Sequence, residues 1–336
     1  MAAAAILDDA GTQVSALFRF KASLNSMSAP NLPRVALTLN GSEIKFFKDA
    51  LRVGCQFFRL DTDASVRADI WQQEFFTDTR FACTMFVISR ALAPNEALDQ
   101  VSNTLFNELA SALGVSPSAG LLIDSGRLIW QSLAFDATAV ANSSIYMRGT
   151  NSLVSADFEE RGGRHLSVEP RGLALISNAN NVAHIFQRYC VLLSLLRAYQ
   201  FAIDSAVDSL ADLAAQPASN VASEQLSALR RDSLVFAARF LFARPVRLDT
   251  VDLRFVWARL SDVNHLRESH VELSEQLDAV HSLLLHDDEK RDDARDKRAQ
   301  YWLTLIGLML AMISLLSLVD VTPEKLLDFW RAWISG

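Results

Sequence analysis

Residues 301–319, YWLTLIGLMLAMISLLSLV, carry no charged side chain over about 19 positions, and about 20 apolar residues are what a helix needs to cross a hydrocarbon core. No other feature restricts the fold of this chain so strongly. The preceding stretch has the opposite character. Positions 256–298 are polar and charged with a recurring apolar stripe, and neither Gly nor Pro interrupts residues 246–300. This pattern predicts a helix running unbroken from near Thr250 to Val319, roughly 100 Å long at ~1.5 Å per residue. The chain reads as a soluble body on a helical stalk, tethered near its C-terminal end.

Charge sets the expected sidedness. Lys290, Arg291, Arg295, Lys297 and Arg298 precede the uncharged run, while Lys325 and Arg331 follow it. Positive residues favour the cytoplasmic side. The N-terminal residues lack a positive region and a long apolar region, and Asp8 and Asp9 interrupt them, unlike a secretory signal. The expected location is the inner (plasma) membrane, single-pass, with the N-terminal body cytoplasmic. A net charge of −7 on 336 residues argues against nucleic acid as a partner, which calls for a basic surface. Cys55, Cys83 and Cys190 are odd in number, far apart and form no CxxC pair. They therefore predict neither a zinc site nor a disulfide framework, and suit a reducing compartment.

Upstream of the stalk the pattern predicts an α+β cytosolic domain. Residues 1–33 are a poorly patterned lead-in. Within 34–178, segments 35–40, 55–61 and 81–89 are rich in β-branched and aromatic residues and read as strands. Segments 43–52 and 66–76 read as helices. So does 95–113, where Leu98, Val101, Leu105, Leu109 and Ala112 share one face, before Gly114 and Pro117 end it. Further strands are expected at 120–124, 127–136, 144–149 and 165–177, with a break at Pro170. Helical hairpin 179–249 follows, divided near 216–220. Then come a coiled-coil stalk (250–300), a transmembrane helix (301–319) and an interfacial tail (320–336).

Along the stalk, Leu266, His270, Leu273, Leu277, Val280 and Leu284 follow a 4-3-4-3-4 spacing, which is the seam of a coiled coil and predicts a homo-oligomer. Val256, Leu260 and Val263 carry the stripe back with one register slip. The same stripe also suits an amphipathic helix packed on its own chain. Nearer the span, Asp287, Asp288, Asp292 and Asp293 form an acidic collar. Asp287 can reach Arg291 and Asp293 can reach Lys297 along the helix; in an oligomer the collar would concentrate cations. Within the span, Thr304, Gly307, Ala311 and Ser314 share one face. Small residues there permit close helix packing or line a narrow pore. Trp302, Trp330 and Trp333 are expected as interfacial anchors, the last two on a short helix beginning at Pro323.

Signatures of chemistry are sparse. No G-x-G-x-x-G, G-x-S-x-G or HExxH occurs, so no catalytic residue and no cofactor is expected. His265, His270, His281 and His286 form two i, i+5 pairs, whereas helical zinc pairs prefer i, i+4. No metal site is predicted, and His270 reads as a packing or pH-sensitive position. The glycines of 161–165 (RGGRH) read as a turn rather than a phosphate cradle, since no GK[ST] follows.

An α+β body, a helical hairpin and a long stalk helix entering a span resemble the CorA-like divalent-cation channel superfamily, over roughly residues 223–319. The resemblance implies a homo-oligomer with the Thr304–Gly307–Ala311–Ser314 face toward the axis. The family's Gly-Met-Asn loop is absent at 317–321, and the short tail stands where a second span should be. The expectation is therefore a non-enzymatic, membrane-anchored oligomeric sensor, effector or scaffold. Its partners would be the lipid bilayer, further copies of itself, and a cytosolic protein or small ligand. A CorA-like cation channel and a membrane-tethered enzyme are the alternatives.

Overall fold

The computed structural model describes residues 11–21, 34–36, 46–60, 68–92, 96–179, 182–215, 220–247, 251–318 and 330–331. They fall into two compact units, Met1–Leu277 and Asp278–Gly336.

The first unit is an α+β sheet domain followed by a mostly helical part. Its strands are β1 (Thr12–Phe20), β2 (Arg34–Ala36), β3 (Cys55–Leu60), β4 (Asp69–Phe75), β5 (Cys83–Ala91), β6 (Leu122–Gln131), β7 (Glu159–Arg161), β8 (Arg164–Glu169) and β9 (Gly172–Ile176). They form one sheet in the order β2-β3-β4-β5-β1-β6-β9-β8-β7. Every pairing is antiparallel except β6 with β9, which is parallel. The helices are α1 (Asp49–Val53), α2 (Leu98–Ala112), α3 (Ala137–Arg148), α4 (Val182–Ala214), α5 (Asn220–Arg239), α6 (Val251–Val263) and α7 (Leu266–Leu318), the last of which ends in the second unit.

The sheet is covered on both faces. Val14, Ala16, Phe18 and Phe20 of β1 join Val101, Leu105 and Leu109 of α2 and Val140 and Tyr146 of α3 in one buried cluster. The alternate residues of β1 serve the opposite face, as strand periodicity requires, and there Arg19 lies over the Phe201 ring of α4. Helix α4 packs on β4, β5, β6 and β9, and against α5 and α6. By length and apolarity α4 is the one helix among the described residues that could cross a membrane, yet 67% of its apolar window is buried inside the fold. Such burial is what a core helix shows.

An aromatic knot fastens α5 to α4. Phe76 lies 5.2 Å from Tyr199 and 4.9 Å from Phe236, ring centre to ring centre. The Tyr199 hydroxyl donates to the Phe240 carbonyl. Gly54 sits where a Cβ would fall 2.3 Å from the Phe240 ring, so the site admits no side chain.

Four expectations need correction. The lead-in contains β1, which pairs with both β5 and β6. Residues 66–76 were expected to be helical; 69–75 form β4, with Gln72 and Gln73 buried. Residues 144–149 close α3 rather than forming a strand. Asp136 caps that helix by accepting from the Ala139 amide at 2.8 Å, and the Tyr146 hydroxyl donates to the Ser15 carbonyl at 2.9 Å. Lastly, the expected unbroken helix from Thr250 is divided. Asn264 and His265 form a turn between α6 and α7, with His265 at φ 50°. His is among the residues that most readily enter this region. The break falls at the register slip of the apolar stripe. Helix α6 turns its stripe, Leu253, Val256, Trp257 and Leu260, into the domain.

Candidate functional site

The irregular point of the sheet is in β6. Leu17 of β1 pairs with Gly126 and Phe18 with Asp124, which leaves Ser125 as an extra residue. Bulges of this kind bend a strand and re-aim its side chains. Beside it runs the parallel neighbour β9, entered through the turn at Pro170 and Arg171. The backbones approach closely here. A Cβ on Gly172 would stand 1.9 Å from the Arg127 carbonyl oxygen.

The bulge, this turn, α4 and the α6–α7 joint together enclose an open cleft of about 500 Å³, lined by Arg19, Asp124, Arg127, Arg171, Arg197, Gln200, Phe201, Asp204 and Asn264 among others. This volume is within the ~300–1,000 Å³ usual for small-ligand sites. Arginine dominates the lining. Arg127 is committed: it donates to Asp124 Oδ2 at 3.1 Å and to the Tyr146 carbonyl at 3.2 Å. The other three arginines differ.

Arg197, half-buried on α4, bonds only neutral oxygens. They are Gln200 Oε1 at 2.6 Å, Asn264 Oδ1 at 3.2 Å and the Pro170 carbonyl. Its Nε is buried without a hydrogen-bond partner among the described residues. Burial pushes its pKa down, Asp124 offsets part of this, and Arg171 adds repulsion. A desolvated charge with neutral partners is destabilising by an amount on the order of several kcal/mol, which hydrogen bonds at about 1.5–3 kcal/mol each offset in part. Arg171 is exposed, and its side chain makes no hydrogen bond or ion pair among the described residues. Arg19 stacks on Phe201 with its guanidinium 4.2 Å from the ring centre.

Asn264 closes the cleft at the joint. Its Oδ1 accepts from Arg197 and from Gln200 Nε2 at 3.4 Å, while its Nδ2 donates to the Leu260 carbonyl at 2.9 Å. The turn that ends α6 is therefore bonded to the wall of the cleft.

The residues singled out by sequence lie elsewhere. Leu266, Leu273 and Leu277 are 4–6% exposed within the single chain, and His270 and Val280 are half-buried. The expected oligomer seam is thus covered by its own chain at those three leucines. An amphipathic helix that packs on its own domain uses the same stripe. The side chains of Leu284, Asp287, Asp288, Asp292 and Asp293 lie outside the described residues, as does all of Trp333; the backbone of 284–293 belongs to α7. Thr304, Gly307, Ala311 and Ser314 are exposed. A Cβ on Gly307 would meet open space, and Thr304 Oγ1 donates to the Gln300 carbonyl at 2.8 Å. Trp302 and Trp330 are exposed as well.

Exposure in this part of α7 is general. Tyr301, Leu303, Ile306, Leu308, Met309, Leu310, Met312 and Ile313 all stand open. Gln300–Ser314 is accordingly an apolar helical segment, shorter than a span over the residues whose side chains are described. No family model, curated protein or solved structure matches this chain.

The cleft was not foreseen. Arg19, Arg171, Arg197 and Asn264 are scattered over the sequence and form no motif. Segment 161–165, whose glycines read as a turn, is the β7–β8 turn, with Gly162 at φ 55° and Gly163 at φ 74°.

Proposed function

We propose that this protein is a membrane-anchored sensor or effector. The sheet domain is its cytoplasmic, ligand-receiving part, and the end of α7 with the following residues is its attachment to the bilayer. The observation that carries the reading is the segment Gln300–Ser314, which is apolar and exposed throughout. A helix that is apolar all round belongs in a protein core or in lipid. Each large side chain of this kind gains about 1.5–3 kcal/mol on leaving water. The helix continues to Leu318, so residues 301–318 would reach roughly 27 Å at ~1.5 Å per residue, close to the ~30 Å hydrocarbon thickness.

Oligomerisation, in this reading, occurs inside the membrane through the Thr304–Gly307–Ala311–Ser314 face, because Leu273 and Leu277 are already covered in one chain. Close approach is favoured by the small side chains and by the open space at Gly307.

Alkaline carbonate washing of membranes tests the anchor. The full-length protein is expected to stay in the pellet, and a chain lacking 301–336 is expected in the supernatant. Release of the full-length chain by carbonate would overturn the reading.

A further inference from the structure

The cleft beside the β6 bulge has more positive charge than its own carboxylates satisfy. Arg197 bonds three neutral oxygens and leaves Nε without a partner among the described residues. Asp124 is engaged by Arg127 at 3.1 Å. Arg171 stands at the rim and forms no ion pair among the described residues. Arg19, stacked on Phe201, makes no direct salt bridge among them, but lies close enough to the Asp204 carboxylate to favour its charged form against burial and Asp208. Asp204 is the other acid on the lining, and it is exposed. Three guanidinium groups thus surround a cleft of about 500 Å³. Guanidinium forks match the oxygens of phosphate in paired hydrogen bonds. The Phe201 face under Arg19 adds an apolar surface beside them.

We propose that this cleft binds a small ligand carrying linked phosphate groups, held by Arg19, Arg171 and Arg197, and that occupancy loosens the α6–α7 joint through Asn264. A phosphate oxygen that bonds Arg197 competes with Asn264 Oδ1 for Nη1, now at 3.2 Å. A charged acceptor makes the stronger bond, so Asn264 is displaced. What Asn264 holds is the turn in which His265 adopts φ 50° and the chain passes from α6 into α7. For its purpose the proposal rests on the sensor reading, as the input to that sensor, but its chemistry does not depend on a membrane.

Isothermal titration of the full-length, detergent-solubilised protein tests it, with inorganic pyrophosphate and ATP as probes and inorganic phosphate as the single-group control. Saturable pyrophosphate or ATP binding with a Kd below about 1 mM, tighter than that of phosphate, supports the proposal. Tighter ATP than pyrophosphate assigns a nucleotide; equal affinities assign recognition to the linked phosphates alone. Arg171→Gln and Arg197→Gln are each expected to weaken binding about 10-fold. Arg171 is exposed, so Arg171→Gln keeps the test valid if Arg197→Gln fails to fold. Asn264→Ala removes the competitor and is expected to tighten binding several-fold. No saturable binding by the wild type at about 10 mM probe, or an Arg171→Gln protein that binds like the wild type, overturns the site. Unchanged affinity in Asn264→Ala overturns the link to the joint. A protein that binds pyrophosphate yet is stripped by carbonate refutes the anchor alone, and one that resists carbonate without binding refutes the cleft alone.

Discussion

Asn264 Oδ1 accepts a hydrogen bond from Arg197 Nη1 at 3.2 Å, so the turn between two helices is held by a cation in the middle of a third. Replacing Asn264 with Ala removes this acceptor and the bond to the Leu260 carbonyl. The expected loss is about 1–3 kcal/mol, because Arg197 keeps its charge and has one partner fewer. Equilibrium urea unfolding of the solubilised protein measures it; a stability equal to wild type would show that the bond is not maintained in solution.

Gly172 is expected to be intolerant of any side chain. A Cβ would lie 1.9 Å from the Arg127 carbonyl oxygen, and backbone cannot yield as a flexible side chain does. Gly172→Ala should cost more than about 4 kcal/mol, at the extreme of single substitutions. Proteolysis at increasing temperature, compared with wild type, reads this out.

Leu273 and Leu277 are covered within one chain, and charge there should act on folding. Leu273→Asp with Leu277→Asp is expected to lower the melting temperature and to leave the subunit number of the detergent-solubilised protein unchanged. Clean dissociation to smaller particles at unaltered thermal stability, seen by light scattering, would instead restore the coiled-coil seam.

His270 has its pKa lowered by burial. The unfolded chain, with an ordinary histidine pKa of about 6.5, binds a proton more readily than the folded one. Stability is therefore expected to fall as pH drops through and below that value. His270→Leu should flatten this part of the profile, measured by unfolding at pH 5 to 8. An identical slope in the variant would remove His270 as its cause.

Cys55, Cys83 and Cys190 are buried, and burial pushes each thiol up to about 12. Thiolate is the reactive form. Iodoacetamide at pH 8 is expected to leave all three unmodified in the folded protein and to modify all three in urea. Mass spectrometry counts the adducts, and rapid labelling of any one before unfolding would contradict its burial.

Elements with a strong local pattern were legible. Helix α2 has its apolar residues on one face, with Gly114 and Pro117 just beyond its end. Strands β3 and β5 declare themselves by β-branched and aromatic content. Strand β1 was legible too: Val14, Ala16, Phe18 and Phe20 alternate with Gln13, Ser15 and Arg19, a period of two broken only by Leu17, and the lead-in reading passed over it. Segment 66–76 read as a helix, but 69–75 form β4 with Gln72 and Gln73 buried in the sheet, where tertiary packing overrides propensity. The close of α3 suggested a strand; its cap, Asp136, was the signal that could have corrected it.

By itself the sequence determined the sheet domain followed by helices and the uncharged, apolar character of 301–319, since both follow from local composition and period. Only the tertiary structure decided that α4, long and apolar enough to cross a membrane, is a core helix with 67% of its apolar window buried, because neighbours rather than hydropathy settle what covers a side chain. Only it brought Arg19, Arg171, Arg197 and Asn264 to one cleft, since residues this far apart in the chain meet through sheet order and helix packing, which no local pattern encodes.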